Sequence, residues 1–305
     1  MNAIEIRNLT KSFRNKSVLN GLNMTVPVGS IYGFIGENGS GKSTTEKIIC
    51  GLITSNSGEI KLFGKNYNDS NIRTKIGVLI ENPGCYPNYS VWNNMMLQAL
   101  NLNLKNPADE IRRVLRIVRM DGAASNKYKN CSLGMKQRIG IAMALLGSPQ
   151  LLILDEPMNG LDADGMRIIR EVLVDITKSY NCTVIISSHI LGELGKIATH
   201  YGIVRQGKMI KEMTALELLN DCPTYIELKT KNLDKTRLKL ENKYKNVRLN
   251  NNLDSIIIYD NVKAEEVVSY LYQNNDLVIE IKTSKIGLED YYINLMGEKD
   301  NGNSF

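Results

Sequence analysis

One nine-residue stretch restricts this chain more than any other: Gly36-Glu37-Asn38-Gly39-Ser40-Gly41-Lys42-Ser43-Thr44 directly follows the apolar run Ile31–Ile35 and precedes a helical stretch that Gly51 can end. It matches G-x-x-x-x-G-K-[ST], and a strand before it with a helix after it is the context that a phosphate-binding loop requires. Glycines let successive backbone N–H groups turn inward around the β- and γ-phosphates of a nucleotide, and the helix start adds partial positive charge. Lys42 is expected to neutralise phosphate oxygens and Ser43 to hold Mg²⁺.

A second constraint lies over a hundred residues on. Leu151-Leu152-Ile153-Leu154 is an apolar strand that ends in Asp155-Glu156-Pro157, and two acids at the carboxyl end of a parallel strand are what phosphoryl transfer to water needs. Asp155 is expected to hold Mg²⁺, largely through water. Glu156 is expected to polarise the attacking water as general base. His189 stands just past the apolar run Thr183–Ile186, at the same sheet edge, whereas His200 has no such context and reads as structural.

Between these motifs the periodicity changes. Ile4–Ile6, Val18–Val26 (broken by Asn20-Gly21) and Ile31–Ile35 read as strands. From Val91 to about Leu115 and again from Ser132 to Leu146, apolar residues recur at three and four, which predicts a helical insertion over about 84–150. Leu151–Leu154, the helical Met166–Tyr180 and Thr183–Ile186 form a strand, helix, strand unit with a right-handed crossover. Around Asp221–Pro223 the pattern is punctuated. Tyr225–Lys229, Ser255–Tyr259, Ala264–Tyr272 and Leu277–Ile281 then predict a small α+β appendage. Two domains follow, 1–222 and 223–305.

Bulk composition narrows the class. A chain of 305 residues with 43% hydrophobic and 23% charged residues is globular, and no apolar stretch approaches the roughly 18–20 residues of a membrane span. Glu5 and Arg7 interrupt the start where a signal peptide would be apolar, so a cytoplasmic location is expected. Cys50, Cys85, Cys131, Cys182 and Cys222 contain no C-x-x-C pair and read as reduced packing residues. Before Thr224 there are 26 basic and 19 acidic residues, and from it onward 12 and 13. That excess suits phosphate ligands and an anionic membrane face, or simply solubility, and no Lys/Arg run points to nucleic acid.

The order of Phe13, the phosphate loop, Ser132-Leu133-Gly134-Met135-Lys136-Gln137-Arg138, the Asp155-Glu156 strand, Asn159-Gly160-Leu161-Asp162 and His189 resembles the nucleotide-binding subunits of ABC transporters over about residues 1–220. The resemblance implies an α/β P-loop ABC-type nucleotide-binding domain with a parallel core sheet, an antiparallel β subdomain and a helical subdomain. It implies an ATPase that uses ATP and Mg²⁺ and drives a separate transmembrane permease. Phe13 would stack on adenine, with core packing as its plainer alternative, and His189 would be the switch histidine. The family segment Leu-Ser-Gly-Gly-Gln reads Cys131-Ser132-Leu133-Gly134-Met135 here, keeping the serine and the second glycine. Ser132 and Gly134 would meet the γ-phosphate of a second copy, which implies a head-to-tail dimer, and Asp162 would transmit closure between its two sites. The chain would then sit on the inner face of the cell membrane through the permease.

The departure at Ile76-Gly77-Val78-Leu79-Ile80-Glu81-Asn82-Pro83-Gly84 places a carboxylate where most of the family has glutamine. With Ser-Leu-Gly-Met-Lys-Gln and the ending Gly287-Leu288-Glu289-Asp290-Tyr291-Tyr292, it resembles the subgroup serving lantibiotic self-immunity and bacitracin resistance. Glu81 would then lie near the metal, as ligand and catalytic group, and at the surface facing the permease; the alternative is an ordinary surface glutamate. Export of an ion or small-molecule drug is the competing substrate reading. A chromosome-type or translation-factor ATPase would need a long coiled coil or a second cassette. A GTPase would need an aspartate that Asn126-Lys127-Tyr128-Lys129 lacks.

Overall fold

The computed structural model describes residues 1–14, 16–221, 224–250, 254–260, 262–285 and 287–301. By compactness the chain divides into Met1–Ala215 and Leu216–Phe305. Cys222 and Pro223, where the sequence pattern is punctuated, lie outside the described residues.

The larger unit begins with β1 (Asn2–Phe13) and β2 (Lys16–Pro27), paired antiparallel. In β1, Ile4 and Ile6 are buried while Glu5 and Arg7 point away, the period of a half-buried strand. Leu9 would break that alternation, but Asn8 takes φ 49° and the register slips between Ile6 and Leu9, a bulge that returns Leu9 to the core. The expected break at Asn20-Gly21 is also a register irregularity within one continuous strand, not an end. Strands β3 (Ile31–Ile35), β4 (Ser57–Leu62), β5 (Lys65–Asn66), β6 (Ile76–Leu79), β7 (Leu151–Asp155), β8 (Thr183–Ser187), β9 (His200–Arg205) and β10 (Lys208–Thr214) complete the unit.

They form two sheets. One is antiparallel, in the order β2-β1-β4-β5; the other runs β10-β9-β3-β8-β7-β6, parallel throughout except for β10. β3 and β8 are buried along their whole length, as is β7 up to Leu154, the continuous apolar reading of strands covered on both faces. Helix α1 (Lys42–Ile49) contributes Ile48 and Ile49 to a core that also takes Ile4, Leu22 and Met24 from one sheet and Phe34, Ile153 and Ile185 from the other.

After the short α2 (Ser70–Arg73), α3 (Val91–Asn101), α4 (Pro107–Ile117) and α5 (Leu133–Leu145) make the helical region. The spacing over Val91–Leu115 is therefore two helices, separated by residues 102–106, because Pro107 can open a helix but not continue one. Helix α5 approaches β6 closely: a Cβ on Gly77 would lie 1.9 Å from the Ala144 carbonyl oxygen. Helices α6 (Ala163–Tyr180) and α7 (Leu191–Leu194) follow β7 and β8.

The smaller unit opens with α8 (Ala215–Asp221), whose first residue closes the larger one. It continues with β11 (Thr224–Thr230), α9 (Leu233–Glu241), β12 (Val247–Leu249), β13 (Ile256–Ile258), α10 (Ala264–Gln273), β14 (Val278–Lys285) and α11 (Leu288–Asn301). Its antiparallel sheet, ordered β12-β13-β11-β14, is an α+β arrangement of the βαββαβ type. Ile226, Leu228, Leu240, Ile256, Ile258, Val267 and Leu271 give it a core of its own.

Candidate nucleotide site

Parallel pairing brings the carboxyl ends of β3, β7 and β8 side by side, with Phe34 opposite Ser187 and Ser187 opposite Asp155. Ligands of open α/β sheets bind at this edge. The loop leaving β3 turns into α1 through Gly41, whose φ of 110° lies in the left-handed region; a Cβ there would also lie 2.6 Å from a Leu19 methyl. The loop residues Asn38, Gly39 and Gly41–Thr44 line a cleft of ≈ 220 Å³, together with Val18, Asp155 and Glu156. Lys42 is 7% exposed and its Nζ donates to the carbonyls of Gly36 (2.7 Å) and Glu37 (3.2 Å), which holds the ammonium along the loop.

Ser43 Oγ donates to Asp155 Oδ2 at 3.3 Å, and Ser187 Oγ donates to Asp155 Oδ1 at 2.6 Å. The next residue, Glu156, takes φ 49°, a strained conformation for a non-glycine. Its N–H is held by the Ser187 carbonyl at 3.1 Å and by Ser187 Oγ at 3.3 Å. Its Oε2 then meets the His189 backbone N–H at 3.3 Å and His189 Nδ1 at 2.8 Å. Ser43, Asp155, Ser187, Glu156 and His189 therefore form one hydrogen-bonded chain, beside which Lys42 is bound to the loop carbonyls.

The remaining expected residues lie elsewhere in the monomer. Ser132 caps α5, its Oγ accepting from Met135 N–H at 3.2 Å, and Asp162 caps α6, accepting from Gly165 N–H at 2.8 Å. Their segments are neighbours: an added Cβ on Gly160 would lie 3.1 Å from Leu133, and one on Gly134 would lie 3.8 Å from Leu161. Phe13 is 46% exposed with Lys11 Nζ 5.0 Å above its ring, so it is not packed into the core. Glu81 does not line the cleft. Its exposed carboxylate sits 2.9 Å from Lys47 Nζ, and that ammonium lowers the Glu81 pKa.

Three contributors escaped the sequence reading. Val18 follows no motif. Ser187 becomes visible only through strand register. Glu46 did carry a signal, a charged residue on the helix face shared with Thr45, Ile48 and Ile49, all inward. Cys131 and Cys182 are buried and Cys50 and Cys85 half-buried, all as free thiols, while Cys222 lies outside the described residues.

Comparison with known proteins agrees with this geometry. A family model described as ABC transporter matches residues 19–159. The chain is 37% identical to the bacitracin transport ATP-binding protein BcrA of Bacillus licheniformis, over 96% of this chain and 97% of that one. It is 42% identical to the lantibiotic transport ATP-binding protein SrtF of Streptococcus pyogenes, over 68% and 90%. Among solved structures, cbiO1 from Clostridium perfringens, part of an ABC transporter complex, superposes with a TM-score of 0.66 at 25% identity, covering 72% of this chain and 91% of that one. The chain belongs to the ATP-binding proteins of ABC transporters, ATPases whose hydrolysis is coupled to transport.

Proposed function

We propose that this chain is the motor of an exporter that removes a peptide antibiotic of the lantibiotic or bacitracin type from the membrane. The similarity to a bacitracin transport ATP-binding protein along nearly the whole of both chains, appendage included, carries this reading. Glu81 and Ser132-Leu133-Gly134-Met135, which resemble that subgroup's pattern, are in keeping with it. Among the described residues no helix is long and apolar enough to cross a membrane. In this reading the chain is a peripheral protein on the cytoplasmic face, held there by a transmembrane permease, with a cassette over 1–222 and an accessory domain over 223–305.

The loop from Gly36 to Thr44 would receive the β- and γ-phosphates of ATP, Lys42 leaving its two carbonyl acceptors for phosphate oxygens of greater charge. Ser43 and Asp155 supply adjacent oxygen donors of the kind Mg²⁺ takes, and among the described residues no three His, Cys, Asp or Glu side chains form a metal cage, so phosphate and water would complete the shell. Bound Mg²⁺ supplies charge neutralisation at the phosphates. Glu156 polarises the attacking water, and His189 holds its carboxylate in place. Phe13 offers its open face to adenine. Ser132 and Gly134, with Asp162 beside them, complete the site from a second copy placed head to tail, since they line no part of the cleft in their own chain.

The test pairs phosphate release by purified protein with the minimal inhibitory concentration of bacitracin and a lantibiotic, in cells co-expressing the chain with its permease. Wild type should protect cells at least about fourfold, and Lys42→Ala and Glu156→Gln should abolish both turnover and protection. Protection against an ion or small-molecule drug alone would overturn the substrate reading and leave the motor intact.

A further inference from the structure

Glu46 lies on the inward face of α1, one turn beyond Lys42 and Ser43, and has zero exposure. Neither of its carboxylate oxygens has a hydrogen-bond partner among the described residues, although the side chain lies near Ser187 and Asp155. A buried, unpaired carboxylate is costly, and here Asp155 and Glu156 add like charge from the end of β7. Among the described residues the other titratable groups near it are Lys42 and Lys47 on its own helix and Cys50 at that helix's end. Lys42 does not pair with it, because its ammonium donates to the loop carbonyls. Burial first and the charge of Asp155 second push the Glu46 pKa up to about 8, with Lys42 opposing; Ser187 would oppose it only by turning its hydroxyl proton from Asp155 to Glu46.

The bonds of Ser187 decide what this carboxyl can do. A hydroxyl has one proton and two lone pairs. The Ser187 proton goes to Asp155 Oδ1, and one lone pair takes the Glu156 N–H. What remains is a lone pair, which a carboxylate cannot use and a carboxylic O–H can.

We propose that Glu46 is a positioning residue: as a neutral acid it donates to Ser187 Oγ and locks the serine that fixes both Asp155 and Glu156. The cluster is then complete, each group on Ser187 being used once, and the acids at the end of β7 are tied through Ser187 to the buried face of α1. The proposal rests on the reading of Asp155 and Glu156 as the working acids, so Glu156→Gln is run alongside. Full turnover in that control would sink the underlying reading, whereas the outcomes below concern Glu46 itself.

The full chain is purified as Glu46→Gln, Glu46→Met, Ser187→Ala and the Met/Ala double variant, and thermal midpoint, kcat and KM for ATP are measured with Mg²⁺. Gln keeps a donor for Ser187 Oγ, so kcat should stay within about threefold of wild type. Met fills the site without a polar group, so the midpoint should hold or rise while kcat falls about tenfold with KM little changed. Ser187→Ala should lower kcat similarly, and the double variant should be no worse than the poorer single. Wild-type kcat in Glu46→Met would make the residue mere packing and overturn the proposal. A loss in Gln equal to that in Met would do the same, and additive losses would show that Glu46 does not act through Ser187. Should the Met variant not fold, Gln and Ser187→Ala still decide: the Gln variant must keep its turnover and the Ala variant must lose it.

Discussion

At Glu46 the protonated form is favoured by folding, and this gives stability a sign against pH. The folded pKa is raised from 4.5 to about 8, so the contribution of this group is fully present below about 4.5 and is lost as pH rises through 8. Thermal midpoints of wild type and Glu46→Gln, taken from pH 5 to 8.5, should therefore converge at the acid end and separate in favour of Gln at the alkaline end. A constant difference would show that Glu46 does not titrate in this window. Glu81 presents the opposite case, an exposed acid paired with Lys47 outside the cleft. Glu81→Gln should keep ATP hydrolysis within about twofold, since exposed pairs hold little energy, while lowering protection of cells that carry the permease. Wild-type protection in that variant would reduce Glu81 to an ordinary surface residue. The loop and the two acids were legible because their spacing is local: strand, glycines, lysine, or strand and carboxylates. Ser187 and Glu46 were not, because their role arises only where β7 meets β8 and the buried face of α1 comes near them.

Among the elements, those with a strong apolar period were readable, including β3, β7, β8, α6 and the inward face of β11. β4 and β5 escaped because Ser57-Gly58-Glu59 and Lys65-Asn66 are exposed and polar, leaving only Ile60 and Leu62 at the end of β4 to alternate. β9 and β10 escaped for a different reason, as a hairpin whose second strand buries only Met213. The packing of α5 on β6 was also hidden, although Gly77 was visible. Replacing Gly77 with Ala would press a methyl against the Ala144 carbonyl, and the helix must shift away. Such overpacking should destabilise the chain by about 1–3 kcal/mol, read as a lower midpoint in urea at constant slope. An unchanged midpoint would mean that α5 is free to move off β6.

At the scale of the molecule, the appendage has its own sheet, helices and core. Residues 216–301 should therefore unfold cooperatively when expressed alone, with a single thermal transition, as compact domains of this size do. A non-cooperative melt would show that the segment depends on the rest of the chain. Its existence was legible from the return of strand spacing after Pro223, but its sheet order was not, since order is a matter of pairing and not of period. The pairing of Phe34 with Ser187 has a consequence for a chain still being made. β3 leaves the ribosome about 150 residues ahead of β8, which at about 5–20 residues per second is roughly 8–30 s. Throughout that interval an apolar strand due to be covered on both faces has no neighbour on either side, because β9 is later still. The phosphate loop is thus born long before the strand that completes it, and the half-synthesised chain carries the loop without the acids, unable to spend ATP.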